Sequence, residues 1–581
     1  MTTGSSPRRV VAGTPAAPGI ARGAWLRYER TPTPMGGRVD AADADREVAR
    51  IVAAAEAVAT ASEALAEDVR RAGHEDEAEI FLAHAAIARD PELIDTAAAH
   101  IRTDLDDGPA AIGRAAGAVA ELLRSLDDEL LRARATDVLD VAERIARQAA
   151  GLPASGLRLV GPAIVVAEDL APSVTATLPR ELVLGIALEG SSPTAHASIL
   201  ARAYGIPAVV GATGLLAAIA DAEPNAELLI DGSSGQIVLA PNDEDAASFA
   251  SASEQIERER VRDRTEAALP TETTDGAKVT LLANIGSPAD AEAGVALGAR
   301  GVGLFRTEFL FLERSDPPSE DQQVDAYARV AEAFAPHPVT VRLLDVGGDK
   351  PIPYLRLAPE DNPFLGVRAL RLADARPDLF LTQLRACYRA AAKGRIKVMA
   401  PMVADAGDMA VLADLAAQAK AEATAAGQAI GEIELGVMLE IPSAVLTAGT
   451  YFDRIQFASL GTNDLLQYTL AVDRGNAALE RYRDSLHPAL LSLVSLSVVA
   501  GARFGVEISV CGEMAGDPAA ALALVGLGVR SLSMTASSLP KVRRAIRGRS
   551  LAELRTAATE SLTASSAADN RARFEALLPA S

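Results

Sequence analysis

The chain has 581 residues and a formal net charge of −22, with acid spread along its length rather than gathered in a tail. That length implies about three domains, and that charge excludes nucleic acid or an anionic membrane as the main partner. Two cysteines, Cys387 and Cys511, cannot form a disulfide framework, no apolar run reaches membrane-spanning length, and "MTTGSSPRRVVAGTPAAPG" lacks a signal-peptide core, so a reducing cytoplasm without membrane insertion is expected.

The opening "RRVVAGTPAAPGIARGAWLRYER" predicts short strands punctuated by Pro and Gly turns. From 38 to 150 the rhythm becomes helical. "DADREVARIVAAAEAVATASEALAEDV" puts Val48, Ile51, Val52, Ala55, Val58 and Ala59 at helical spacing, and "EAEIFLAHAAIARD", "AAIGRAAGAVAELLRSL" and "ELLRARATDVLDVAERIARQAA" continue it. Four or so helices are expected. Strand signals return over 151–242 in "RLVGPAIVVAEDL", "LVLGIALEG", "ILARAYGIPAVVG" and "ELLIDGSSGQIVLAP". The economical reading is one α/β domain, built from 1–37 and 151–242, with a helical subdomain inserted into it. A charged helix over 243–270 then links it to a further domain over 271–581.

That last region alternates short apolar runs with amphipathic helices. The runs are "KVTLLANIG", "GVGLFRTEF", "VTVRLLDVGG", "IKVMAPMV", "ELGVMLEIP", "IQFASLGTND", "EISVCGEMA" and "SLSMTA". Eight such units predict a closed (β/α)8 barrel. An open doubly wound sheet is the alternative, weakened by the lack of a G-x-G-x-x-G or P-loop motif.

Barrel chemistry gathers at the C-terminal ends of the strands. There the sequence places Arg306 after "GVGLF", Arg342 in "VTVRLLD", Glu440 ending "GVMLE", and Asn463 with Asp464 after "FASLGT". Arg474 follows in "AVDRGN", and Cys511 ends "EISV". Any one of these charges is ordinarily a structural ion pair; several on one face are harder to explain by packing. The arginines offer forked donors for phosphate and carboxylate oxygens. Glu440 and Asp464 suit a hard divalent cation such as Mg2+. Without histidine in the set, zinc is not expected. Cys511 fits either a proton donor to an enolate carbon or a small buried hydrophobe.

Upstream, "GSSPTAHASILAR" presents His196 among small residues at a helix start. A capping or packing histidine is the plain reading. Its neighbours Ser191, Ser192, Ala195 and Ala197 are small, and Thr194 stands two positions before it.

Together "GVGLFRTEFLF", "VRLLDVGGDKPIPY", "NPFLGVRALR", "GVMLEIPSAV", "LGTNDLLQYTLAVDRGN" and "CGEMAGDP" closely resemble the barrel of Enzyme I, the phosphoenolpyruvate-protein phosphotransferases of the bacterial sugar phosphotransferase system. "TAHASILARAYGIPAVVG" resembles that family's phosphohistidine motif. The resemblance runs through nearly the whole chain. It implies a swivelling phosphohistidine α/β domain, a helical subdomain that docks the carrier protein HPr, a linker helix and a TIM-type barrel that binds phosphoenolpyruvate (PEP) and dimerises. It further implies His196 as the phosphorylated nucleophile, Cys511 as proton donor, and Arg306, Arg342, Asn463, Asp464 and Arg474 as substrate contacts. Glu440 and Asp464 would bind Mg2+, and Arg368 and Lys350 match the motifs with less defined roles. The acids Glu75, Asp76, Glu77 and Glu79 read either as a dipole-stabilised helix start or as a docking rim for HPr. Ser191-Ser192 and Ala195 depart from the family's usual Gly-Gly and serine, and Leu466 from its threonine. A PEP-dependent phosphorelay paralogue with a regulatory carrier is the alternative. A dikinase or PEP synthase relative is disfavoured because no segment can host an ATP-binding domain.

Overall fold

The protein is described by a computed structural model covering residues 8–579, apart from 30–36, 72–74, 126–128, 153–156, 158, 172–173, 176–177, 194, 224–225, 312–315, 348–352, 356–357, 359 and 474–475. Of residues 68, 70–71, 75–79, 129–133, 196, 203, 289, 353 and 477 only the backbone is described. The chain divides into two units, residues 1–258 and 259–581.

In the first unit, strands β1 (Arg9–Ala12), β2 (Thr14–Ala17), β3 (Ile20–Gly23) and β4 (Trp25–Arg27) precede a helical segment. Strands β5 (Ala163–Ala167), β6 (Val183–Leu188), β7 (Ala208–Val210), β8 (Leu228–Asp231) and β9 (Gln236–Leu239) follow it. They form a four-stranded sheet ordered β1-β9-β8-β3 and a five-stranded sheet ordered β2-β7-β6-β5-β4. Strand alternation builds two cores at once. On β5, Val165 and Ala167 enter one core with Ile186 and Leu188. Ile164 and Val166 enter another, shared with Leu228 and Ile230 of the four-stranded sheet.

The helical part holds α1 (Ala44–Arg71), α2 (Glu75–Ala88), α3 (Pro91–Asp104), α4 (Gly108–Arg124) and α5 (Glu129–Ala149), one helix more than the four segments picked out by periodicity. The extra one is α3, whose Leu93, Ala97, Ala98 and Ile101 face the core at helical spacing and whose termini are well marked. Asp90 caps it by accepting from the Glu92 N–H, Pro91 opens its first turn, and Leu105 ends it at φ 59°. The bundle core is mostly alanine, with Ile51, Ile101, Ile112, Val141 and Ile145 between the helices. A helix over Asp243–Glu266, with no buried residue, carries the chain onward.

The second unit contains the closed barrel. Strands β10 (Thr280–Ile285), β11 (Val302–Phe305), β12 (Val339–Arg342), β13 (Ile396–Ala400), β14 (Ile433–Leu439), β15 (Phe457–Leu460), β16 (Glu507–Val510) and β17 (Ser531–Met534) pair in that order. Every pairing is parallel, and β17 returns to β10 with Leu281 opposite Leu532. All eight expected strands are present, so the doubly wound alternative falls. Leu304, Met399, Met438, Phe457 and Cys511 form a small apolar plug of their own. The main core joins the strands to the surrounding helices.

Candidate active site

Arg306, Arg342, Glu440, Asn463, Asp464 and Cys511, drawn from five strand ends, line one cavity of about 850 Å3. Each owes its place to the strand before it. Arg306 follows β11, Arg342 ends β12, Glu440 follows β14, and Cys511 follows β16. Asn463 and Asp464 lie in the first turn of the helix Thr462–Leu470 after β15. Arg474 and Lys350 lie outside the described residues, as does Thr194.

The two buried arginines of the cavity are paired. Arg342, 8% exposed, meets Glu308 at 2.7 Å and Asp345 at 3.2 Å. Burial opposes its charge, but Glu308 and Asp345 outweigh burial and hold its pKa above the usual range. Arg368 grips Asp345 with one nitrogen on both oxygens, at 2.9 and 3.0 Å, and reaches Asp464 at 3.4 Å. Its balance is the same, burial against Asp345 and Asp464. These contacts join the loops after β12 and β15.

Glu440 is 2% exposed and accepts one hydrogen bond, from the Met402 N–H at 2.6 Å. Burial, then the carboxylates of Asp345 and Asp464, push its pKa well above the ordinary carboxyl range. Crowded buried carboxylates of this kind call for a cation, and an all-oxygen donor set suits a hard one. Glu440 and Asp464 therefore fit Mg2+. Burial pushes the Cys511 thiol up to about 11, so it stays protonated at neutral pH. Asn463 accepts from the Glu513 N–H at 3.1 Å, which ties the ends of β15 and β16 together.

Two supports of this cavity went unread in the sequence. Glu308 sits two residues after Arg306 and is 1% exposed. Its Oε1 accepts from Arg342 and from the Asp345 N–H at 3.1 Å. Gln383, fully buried on the helix Pro377–Ala390, donates to Thr307 Oγ1 at 3.0 Å and to the Tyr327 hydroxyl at 3.1 Å. It accepts from the Leu344 N–H at 2.9 Å, while Thr307 donates to the Arg342 carbonyl at 2.8 Å. Proximity to "FRTEF" marks Glu308; nothing local marks Gln383.

In the first unit, His196 is the first residue of the helix His196–Ala203, preceded by Ala195 with extended backbone. Its side chain lies outside the described residues, as do those of Glu75, Asp76, Glu77 and Glu79. Ser191 adopts φ 69°, the left-handed region that glycine enters freely. Serine thus keeps a glycine-type conformation just before the histidine. Ser198 donates to the Ser192 carbonyl at 2.7 Å, closing this loop onto the helix.

A barrel mouth lined by arginines and carboxylates, in a chain that also carries a histidine at a helix start, defines a class that sequence comparison bears out. Residues 12–134, 159–235 and 260–551 match three families described as PEP-utilising enzyme, N-terminal; PEP-utilising enzyme, mobile domain; and PEP-utilising enzyme, PEP-binding domain. More narrowly, the phosphoenolpyruvate-protein phosphotransferase of Streptomyces coelicolor is 42% identical over 550 residues, 94% of each chain. That of Geobacillus stearothermophilus is 37% identical over 537 residues, 92% of each chain. A multiphosphoryl transfer protein of Rhodobacter capsulatus is 39% identical over 97% of this chain and 67% of its own. The chain belongs to the phosphoenolpyruvate-protein phosphotransferase family, Enzyme I, and is a phosphotransferase that uses PEP. Among the described residues no helix is long and apolar enough to cross a membrane.

Proposed function

We propose that this chain transfers the phosphoryl group of PEP to His196 and then to a histidine of an HPr-type carrier, the first step of sugar uptake by a cytoplasmic phosphotransferase system. The observation that carries the reading is the convergence of Arg306, Arg342, Glu440, Asn463, Asp464 and Cys511 on one cavity at the barrel mouth.

The chemistry follows from what these groups do. Arg306 and Arg342 hold phosphate and carboxylate oxygens, Arg342 being preset by Glu308 and Asp345. Asn463 orients the substrate, and Arg474 completes the cradle. Glu440 and Asp464 would hold Mg2+, which would supply charge neutralisation to the transferring phosphoryl group. A neutral ring nitrogen of His196 attacks phosphorus. The bond from phosphorus to the enol oxygen breaks as the nitrogen–phosphorus bond forms, leaving the enolate of pyruvate. The Cys511 thiol, kept protonated by burial, gives its proton to the enolate methylene carbon and is reprotonated from solvent. The N–H groups at the start of the helix His196–Ala203 favour the phosphate carried there.

Residues 1–37 and 151–242 form the phosphohistidine domain, 38–150 the carrier-docking part, 243–270 the linker, and 271–581 the PEP-binding barrel. The phosphohistidine domain must swivel between the barrel and the carrier. The barrel also forms the homodimer, through exposed Leu446 on the helix Pro442–Leu446 and exposed Leu496 and Val499 on the helix Pro488–Phe504. The decisive experiment incubates the protein with phosphoryl-labelled PEP and Mg2+. Acid-labile, base-stable label lost in His196→Ala is the expected result; label persisting in that variant overturns the assignment.

A further inference from the structure

At the N-terminal end of the barrel strands, opposite the mouth, lies a second cavity of about 430 Å3. Its walls come from the end of the helix Asp243–Glu266, the helix Pro288–Ala296, and the segments leading into β11 and β12. The lining is unusual for this chain. The sequence holds 78 acidic residues against 56 lysines and arginines, yet no carboxylate lines this cavity. Three basic side chains do: Arg264, Arg300 and His337. The rest is alanine and glycine with Val295 and Phe334, a largely apolar floor. Arg264 and Arg300 are exposed and form no ion pair among the described residues, so both forks are available. Arg300 makes one long contact, Nη2 to the Ala268 carbonyl at 3.4 Å.

An independent observation lies directly behind the wall. Arg543 is 1% exposed, and its Nη2 donates to the carbonyls of Leu297 and Gly298 at 2.9 and 3.3 Å. Its Nε and Nη1 meet no acceptor. Burial, then Arg300, depresses its pKa, so positive charge is in excess at this point of the fold. Glu266, the carboxylate whose charge acts on Arg543, is committed to Arg262 at 3.0 Å and Arg544 at 3.4 Å. A buried cation without a counterion is costly, and an anion seated before Gly298 offsets that cost.

We propose that this cavity is a binding site for a small organic anion, a phosphate or carboxylate group on an apolar body, held by Arg264, Arg300 and His337 with Arg543 behind them. Forked guanidinium donors take the anionic oxygens and the alanine floor takes the apolar part. The site is separate from the barrel mouth and does not depend on the reaction assigned there.

Phenyl phosphate is the probe, titrated calorimetrically into the full-length protein, with Arg306→Ala as the background that disables the mouth. On that background one binding event is expected to remain. Adding Arg264→Ala and Arg300→Ala is expected to weaken it at least about tenfold, a loss of about 1.4 kcal/mol. Filling the cavity with Ala296→Trp, with all charges kept, is expected to abolish it. Phosphotransfer by Arg264→Ala/Arg300→Ala in the otherwise unaltered protein stays at the parental rate. No binding on the Arg306→Ala background overturns the proposal. So does unchanged affinity in either the arginine double variant or the tryptophan variant.

Discussion

Glu308 and Arg342 meet at 2.7 Å with both side chains out of solvent, and the same carboxylate oxygen takes the Asp345 N–H. One acid therefore fixes a cavity-lining arginine and the loop that follows it. Breaking a buried pair by removing one partner typically costs about 3–5 kcal/mol. Because Arg342 keeps Asp345 at 3.2 Å, Glu308→Ala belongs at the lower end, about 3 kcal/mol. Calorimetric unfolding of the variant reads this directly. A misplaced arginine also lowers kcat/KM for PEP about 100-fold.

Gln383→Leu keeps volume but strands the Leu344 N–H and loosens Thr307 from the helix behind it. A buried donor left without an acceptor costs about 1–3 kcal/mol. Steady-state kinetics should show KM for PEP rising more than kcat falls, since the residue positions binding groups and touches no reacting atom. Gln383→Glu, which keeps the acceptor for Leu344, should recover part of the binding.

Cys511 is predicted to remain a thiol across the working pH range. Burial raises its pKa to about 11, so the protonated form dominates at every pH below that. Thiolate absorbance should accordingly be absent from this residue until pH approaches about 11. Any alkaline loss of activity nearer neutrality arises elsewhere. Cys511→Ala should lower kcat about 100-fold or more while leaving KM little changed, as expected for loss of a general acid. A thiolate signal from Cys511 near neutral pH would contradict this.

Glu440→Ala separates the two half-reactions. It removes the carboxylate that burial and its acidic neighbours single out for a cation. Labelling of His196 from PEP and Mg2+ should disappear, whereas labelling from a phosphorylated HPr-type carrier should persist. Loss of both would mean that the two transfers share one site.

Leu446 is 69% exposed and Val499 is 65% exposed, on helices that pack together beside β14 and β16. Leu446→Glu with Val499→Glu should shift sedimentation equilibrium toward monomer without lowering thermal stability. An unchanged association constant would rule this face out as the proposed dimer contact.

The barrel was legible because its information is local. Each strand is an apolar run, and most candidate polar residues end such a run or follow it by a few positions, as Arg306, Arg342, Glu440 and Cys511 do. What escaped was long-range pairing. The Gln383 contact to Thr307 spans 76 residues, and a glutamine in the middle of an amphipathic helix carries no local mark. Asp345 was visible beside Arg342, yet its hold on Arg368 was not. In the first unit, periodicity indicated strands before the helical segment but not that four of them distribute into two sheets. α3 was missed although Leu93, Ala97, Ala98 and Ile101 repeat at helical spacing and Asp90-Pro91 marks its start.

The first unit is stitched from both ends: β1 pairs with β9, β2 with β7, β3 with β8 and β4 with β5. Most of the helical bundle's core closes by Ala149, using neighbours along the chain, with Ala66, Val69 and Phe81 awaiting Leu200, whereas the sheets await Leu239. Contacts near in sequence form faster than distant ones. On the ribosome, then, the bundle matures while the N-terminal strands still lack their partners, and those strands must stay soluble until residues 163–239 emerge to claim them.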